Sequence, residues 1–332
     1  MMPEDAASVC TMSPRPRVPV SPRPSFPSSV LLVFIDGVGI GTRGDHNPLD
    51  GIDSDLFAIF QGEEPRLPFN GRMTVTDARL GVDGLPQSAT GQTAILTGVN
   101  APALIGRHLN GYPSPRLKRV LAEHSIYKKL TERGCSVTFA NAYTPRFFEK
   151  RPRFVSATTV AAESAGLRLR TIDDLLAGEA VYHDFTNSHA ASLGYSVPAC
   201  SPEDAGVRLA ELASRHQFTL YEHFITDRIG HKQDREMARK HVLRLTRFVR
   251  AVLEAVDLEA QTVIVTSDHG NIEDLTTRRH TTNPVATLVF GAASEQMTSR
   301  VRTLTDITPA IVDSLSPRAI QDAALPLPIA PL

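Results

Sequence analysis

The stretch TVIVTSDHGNIEDLTTRRH, residues 262–280, carries Asp268, His269 and His280 just beyond a run of mostly β-favouring residues. One reading is an Asp–His pair hydrogen-bonded at a strand end, with a surface His nearby. The other is a set of metal ligands, because side chains at strand ends of α/β sheets converge on ligands. Two further stretches offer the same chemistry. Asp36 closes the apolar run SVLLVFID, and Asp227 closes FTLYEHFITD, with His231 four residues later in DRIGH. A helical turn after Asp227 puts Asp227 and His231 on one face. A single strand-end Asp says little, but Asp36, Asp227, His231, Asp268, His269 and His280 together point to a divalent-metal centre. Mixed carboxylate and imidazole ligands suit Zn²⁺ or Mn²⁺, and the lack of thiolates sets aside a structural zinc site.

Strands alternating with helices must position these groups. SVLLVFID, followed by the tight loop GVGIG, reads as the first central strand. SPRLKRVLAEHSIYKKLTERG reads as one helix ending near Gly134, followed by the strand CSVTFANA. SPEDAGVRLAELASRH reads as a helix with a Ser-x-x-Asp start, and FTLYEHFITD as the next strand. The long amphipathic helix REMARKHVLRLTRFVRAVLEAV precedes the strands TVIVTSD and PVATLVFG. This alternation predicts an α/β fold, three layers deep, with a mostly parallel sheet covered on both faces. Residues 29–142 and 201–332 form the expected core. The Arg-rich, poorly periodic segment 143–200 reads as a small inserted cap, and residues 1–28, with seven Pro, as a disordered arm.

Composition narrows the partners. At 332 residues, 42% hydrophobic and 21% charged, the chain can bury a substantial core. A net charge of −1 gives no bulk attraction to nucleic acid or to an anionic membrane, so neither is an expected partner. Three widely spaced cysteines, Cys10, Cys135 and Cys200, make no disulfide framework and fit a cytoplasmic setting. No apolar run reaches the ~18 residues of a membrane span, and the N-terminus lacks a signal-peptide core.

VFIDGVGIG, TDRIGH and TSDHGNIE with RRHTTNPV resemble the alkaline phosphatase superfamily, in the metalloenzyme branch containing cofactor-independent phosphoglycerate mutase and phosphopentomutase. The resemblance covers residues 29–108 and 217–316 and is most specific at SDHGNxE and HTxNPV. It implies an alkaline phosphatase-like fold, phosphoryl transfer through a phosphoserine, and two divalent ions, Mn²⁺ or Zn²⁺. One ion would be held by Asp36, Ser88, Asp268 and His269, the other by Asp227, His231 and His280.

The implied nucleophile falls in PQSATGQTAILTG, residues 86–98, where Ser88 and Thr90 both qualify chemically. Ser88 fits the mutase pattern Ser-x-x-Gly and lies nine residues before Thr97-Gly98, so it is preferred. A helix starting there favours an incoming phosphate, and Gly91 is expected to let the backbone approach phosphoryl oxygens. Departures are equally informative. The GGVHSH-like stretch of the mutase and the phosphopentomutase signature around the first Asp are missing, so neither substrate transfers, and Ser88-Ala89-Thr90-Gly91-Gln92 lacks the x-Pro-x-Arg of sulfatases. The expected reaction is phosphate-monoester hydrolysis on a small phosphorylated metabolite. The alternatives are a phosphomutase and a binding module without catalysis; a missing ligand or nucleophile would mark the last, and all seven positions are filled. Arg107 and His108 in GRHLNGYP and Arg146 in YTPRFFEKRPRF are candidate substrate contacts, and His183 or His189 a candidate general acid.

Overall fold

The computed structural model describes residues 29–315; the arm expected at residues 1–28 lies outside the described residues. Its strands are β1 (Ser29–Ile35), β2 (Arg72–Thr76), β3 (Val137–Phe139), β4 (Ala142–Tyr143), β5 (Arg170–Thr171), β6 (Phe218–His223), β7 (Gln261–Thr266) and β8 (Val285–Gly291). All seven residues of β1 are buried, as its unbroken apolar sequence requires of a strand covered on both faces. It pairs in parallel with β6 and β7, Val33 lying opposite Tyr221 and Val265. The six-stranded sheet runs β2-β8-β7-β1-β6-β3, with β8 antiparallel to both of its neighbours.

Side-chain alternation along β1 divides the core into two layers. Val30, Leu32 and Phe34 pack with Ile95, Leu121 and Ile311 on one face, and Leu31, Val33 and Ile35 with Leu209, Leu245 and Val249 on the other. On the second face, helices Pro202–Ser214 and Arg235–Ala255 cross at Gly206, where a Cβ would stand 2.6 Å from the Phe248 carbonyl oxygen. The result is the three-layer, mostly parallel α/β architecture that the alternation predicts.

Several local boundaries differ from the sequence reading. The helix expected across residues 114–134 is two, Pro115–His124 and Ile126–Thr131, because Ser125 adopts an extended conformation and caps the second through the Lys128 N–H. FTLYEHFITD does not stay extended to Asp227: β6 ends at His223, and Asp227 sits in the first turn of helix Ile225–Gly230. CSVTFANA divides between β3 and β4, the latter pairing with β5 in a separate two-stranded sheet. The edge strand β2 has no counterpart in that reading.

Candidate metal centre

The parallel strands β1, β6 and β7 finish at the same, carboxyl end of the sheet, and the residues that follow them meet there. The Asp36 N–H donates to His223 O at 2.8 Å, and Thr226 Oγ1 donates to Asp36 O at 2.5 Å, tying the first carboxylate to the end of β6. Gly37 follows with φ +74°, and a Cβ there would lie 2.8 Å from Asp227 Cβ. Glycine is what allows the Asp36 and Asp227 segments to touch. Ser88 opens helix Ser88–Thr97, and Gln87 gives that helix no side-chain cap. Its first amide N–H groups are therefore left to an anion or water.

From these anchors a continuous polar cluster forms. Ser88 Oγ lies 3.0 Å from His269 Nε2. The same nitrogen is 3.2 Å from Asp36 Oδ1 and 3.5 Å from Asp268 Oδ2. The His269 ring stacks on His280, centroids 3.7 Å apart. His280 Nε2 is 3.4 Å from Asp227 Oδ1, and His231 Nε2 is 3.2 Å from Asp227 Oδ2. All seven residues expected from the sequence are thus brought together. Among the described residues, Asp36, Asp268 and His269 form one triad able to hold a metal ion and Asp227, His269 and His280 another. His269 belongs to both, and His231 reaches the second through Asp227, which departs from the division implied by the resemblance.

The donors suit a cation. Asp36 Oδ1 and Asp268 Oδ2 are buried without a hydrogen-bond partner, a costly arrangement unless positive charge compensates them. Backbone carbonyls orient the imidazoles: His231 Nδ1 donates to Arg278 O at 2.6 Å and His280 Nδ1 to Pro86 O at 2.9 Å, leaving each Nε2 toward the centre. Burial alone would lower the His269 imidazolium, but Asp268, Asp36 and Asp227 reverse this and hold its pKa up at about 10. Burial and then the Asp36 charge push the Asp268 carboxyl well above its ordinary range. Asp227 goes the other way: hydrogen bonds from His231 and His280 outweigh its burial and hold it low.

One buried residue organises the loops without joining either triad. The Glu273 carboxylate accepts from Gly39 N at 2.9 Å, Asn271 N at 2.8 Å, Thr281 Oγ1 at 2.5 Å and Asn283 Nδ2 at 3.1 Å. It therefore joins the loop after β1 to both ends of the segment between β7 and β8. This accounts for the Glu of SDHGNIE and for the Thr and Asn of HTTNP, to which sequence reasoning gave no role.

Other sequence expectations change. Thr90 is buried, donating to Gln87 O at 3.1 Å and accepting from Leu109 N at 3.2 Å. Gly91 makes room for Asp268 rather than for phosphate: a Cβ there would lie 2.9 Å from Asp268 Cβ and from its carbonyl oxygen. A cavity of about 560 Å³ opens on Asp36, Ser88 and Asp227. Arg107, His108 and Arg146 are not in its lining: Arg107 and Arg146 are exposed, and His108 Nε2 is 3.2 Å from Val82 O. His183 does line it, stacked on Phe224, with burial pulling its pKa down to about 3. His189 lines a separate hollow with Asp184 and His241. Arg228, beside Asp227, is the one Arg or Lys in the main cavity lining among the described residues, and sequence reasoning missed it.

Residues 200–318 match the family model of the metalloenzyme superfamily. Over this stretch the chain is similar to the metalloenzyme superfamily. It is 36% identical over 95 residues to the 2,3-bisphosphoglycerate-independent phosphoglycerate mutase of Desulforudis audaxviator (strain MP104C), a match spanning 27% of this chain and 19% of that relative. Its fold is similar to that of the PH0037 protein from Pyrococcus horikoshii, with a TM-score of 0.52 at 14% identity over 87% of this chain and 98% of that one. A cold-active alkaline phosphatase from a psychrophilic Shewanella sp. aligns with a TM-score of 0.50 at 13% identity, over 87% and 100% of the two chains. At such identities the likeness is one of fold. The match to a family of metalloenzymes accords with the two triads, each of which could hold a divalent ion. No helix among its described residues is long and apolar enough to cross a membrane.

A histidine pair, the buried His223 and the partly buried His241, adjoins the centre. His223 Nδ1 donates to His183 O at 2.8 Å, so the neutral ring presents a bare Nε2 to His241 Nε2, 2.9 Å away. Charging His223 would set N–H against N–H. Burial holds His223 well below 6.5 and lowers His241 to about 4. Both folded-state values lie below the unfolded value, so this stability is present above pH 6.5 and is lost as pH falls toward about 4. Melting temperature should drop over that window, and His241→Asn should flatten the acid limb; equal limbs in parent and variant would exclude this origin.

Proposed function

We propose that the protein hydrolyses phosphate monoesters of a small metabolite through a phosphoserine at Ser88. The observation that carries this reading is Ser88 Oγ, 3.0 Å from His269 Nε2, at the uncapped start of a helix and on the wall of the cavity. Asp36, Ser88, Asp268 and His269 would hold one divalent ion and Asp227, His231 and His280 a second, with Mn²⁺ or Zn²⁺ suiting the donors. Such ions polarise phosphoryl oxygens and make a serine hydroxyl more nucleophilic at neutral pH.

Ser88 releases its hydroxyl proton to water and its Oγ attacks phosphorus in line, the new Oγ–P bond forming as the bond to the leaving oxygen breaks. The leaving alkoxide takes a proton from water. The helix N-terminus supplies N–H donors and a partial positive charge toward the added phosphate. Water then attacks the phosphoserine, releasing inorganic phosphate and restoring the hydroxyl. Residues 143–200, read as a cap, contribute part of the cavity wall through Tyr143, Phe154 and His183.

A phosphomutase is the second reading, favoured by the resemblance of a 95-residue stretch to a phosphoglycerate mutase. A mutase must hold its dephosphorylated substrate beside the phosphoserine and exclude water, commonly with a closing lid. Little chain is available for a large closing domain between residue 100 and β6, since β3 and several core helices occupy the same interval. Hydrolysis should therefore predominate. Phosphorus NMR on a phosphorylated sugar or acid with a second free hydroxyl should show phosphate release outrunning positional isomers; faster isomer formation would select the mutase.

A further inference from the structure

The walls of the cavity suggest what the monoester carries. Tyr112 and Phe154 stand at its lining, each 52% exposed, their rings stacked 5.7 Å apart at 19°. These two come from segments more than forty positions apart, 110–112 and 152–156, so their pairing is a product of the fold. Phe147, itself 4.5 Å from Tyr143, adds another ring to the wall. Phe224 and His183, stacked 4.5 Å apart, add a second flat surface next to Asp227. Half-exposed rings grouped at a reactive site leave apolar surface uncovered, and such surface marks a ligand contact more often than accident.

The charges in the lining are equally selective. Arg228 is the one Arg or Lys in this lining among the described residues, while Asp36, Glu222 and Asp227 are acidic; Arg153 and Arg151 lie outside it, over the Phe154 and Phe147 rings at 5.2 and 4.6 Å. Burial pulls the His183 pKa to about 3, so that ring meets a ligand uncharged at neutral pH. A substrate with a second phosphate or carboxylate would find a single cation in the lining itself. A flat, neutral ring would find stacking partners and would cover Tyr112 and Phe154 from water.

We propose that Tyr112, Phe154, Phe224 and His183 form a subsite for a flat aromatic ring, so that the preferred substrate is the phosphate monoester of an aryl group or of a nucleoside. This rests on the hydrolase reading, with the phosphoryl group at Ser88 and the ring against the aromatic walls. A ring of that kind fits a cavity of about 560 Å³ beside the phosphoryl group.

The test compares phenyl phosphate, uridine 5′-monophosphate and glycerol phosphate as substrates of the metal-supplemented full chain. Phenylphosphonate and methylphosphonate are compared in parallel as ligands that are not turned over, by calorimetry. The expected result is a kcat/KM for a ring-bearing ester at least about tenfold above glycerol phosphate, which corresponds to one good stacking contact with its buried area. Tyr112→Ala and Phe154→Ala should erode that ratio mainly through KM, and Tyr112→Phe should keep it. Preference for the nucleotide would assign the ring to a base, and preference for phenyl phosphate to a simple aryl group; each upholds the subsite. Tighter binding of phenylphosphonate without turnover of any ester would uphold the subsite while overturning the hydrolase reading. Equal turnover of all three esters, with equal binding of both phosphonates, would overturn the subsite and leave the hydrolase standing.

Discussion

Replacing Ser88 with Ala is expected to cut turnover by at least about a thousandfold and to leave no phosphoenzyme, since removing a nucleophile deletes a step rather than a contact. Thr90→Ala should leave both measurable. The geometry separates the two hydroxyls more firmly than composition can. Ser88 Oγ meets His269 and the cavity, whereas Thr90 Oγ1 is occupied by the Gln87 carbonyl and the Leu109 N–H. The check is acid-quenched labelling from a phosphorus-labelled ester, with a metal titration beside it. Labelling that survives Ser88→Ala and disappears in Thr90→Ala would move the nucleophile.

Asp268→Asn should keep the fold and lose metal affinity by more than about a hundredfold, because a ligand weighs more than the outer-shell contacts whose loss already costs ten- to a hundredfold. Burial and Asp36 push the metal-free Asp268 carboxyl well above its ordinary range, so the neutral amide replaces a group already inclined to neutrality. Asn would fit that state and fail the charged one that a cation needs. The parent should gain about 2.7 kcal/mol of stability at a metal concentration one hundred times Kd, while the variant gains almost none. Parallel thermal melts with and without Mn²⁺ or Zn²⁺, plus elemental analysis, read both quantities. Full metal occupancy in the variant would sink the assignment of Asp268 as a ligand.

The parts of this molecule that the sequence makes legible are those whose physics is local. SVLLVFI and QTVIVT are buried throughout, and an apolar run announces β1 while a β-branched run announces β7. β2 is an edge strand, RMTVT, with two of its five residues exposed, and such a short mixed pattern carries no periodic signal. The break between His124 and Ile126 turns on one serine whose side chain caps a helix, within a stretch whose apolar spacing continues across it. Asp227 looked like a strand end because FTLYEHF is apolar enough to extend, yet the Thr226 hydroxyl bonds Asp36 O from within the helical turn that follows. Motif spacing reaches all seven residues of the polar cluster. It does not reach Arg228, Tyr112 or Phe154, because a cavity wall is assembled from segments that only tertiary structure brings together. Arg107, His108 and Arg146 show the reverse error: basic residues near a motif in sequence, yet outside the cavity in space.

The Glu273 clamp bears on how the site would take up a metal ion. Irregular loops that supply metal ligands commonly take their shape only as the ion arrives, and part of the binding free energy then goes into ordering backbone. Here four donors converge on one buried carboxylate, and they belong to the loop after β1 and to both halves of the segment between β7 and β8. The ordering is thus completed during folding, by bonds that do not involve either triad. The Gly39 and Asn271 amides should exchange with solvent as slowly as those of the sheet even before loading, and ion capture should be limited by dehydration of the cation rather than by loop closure.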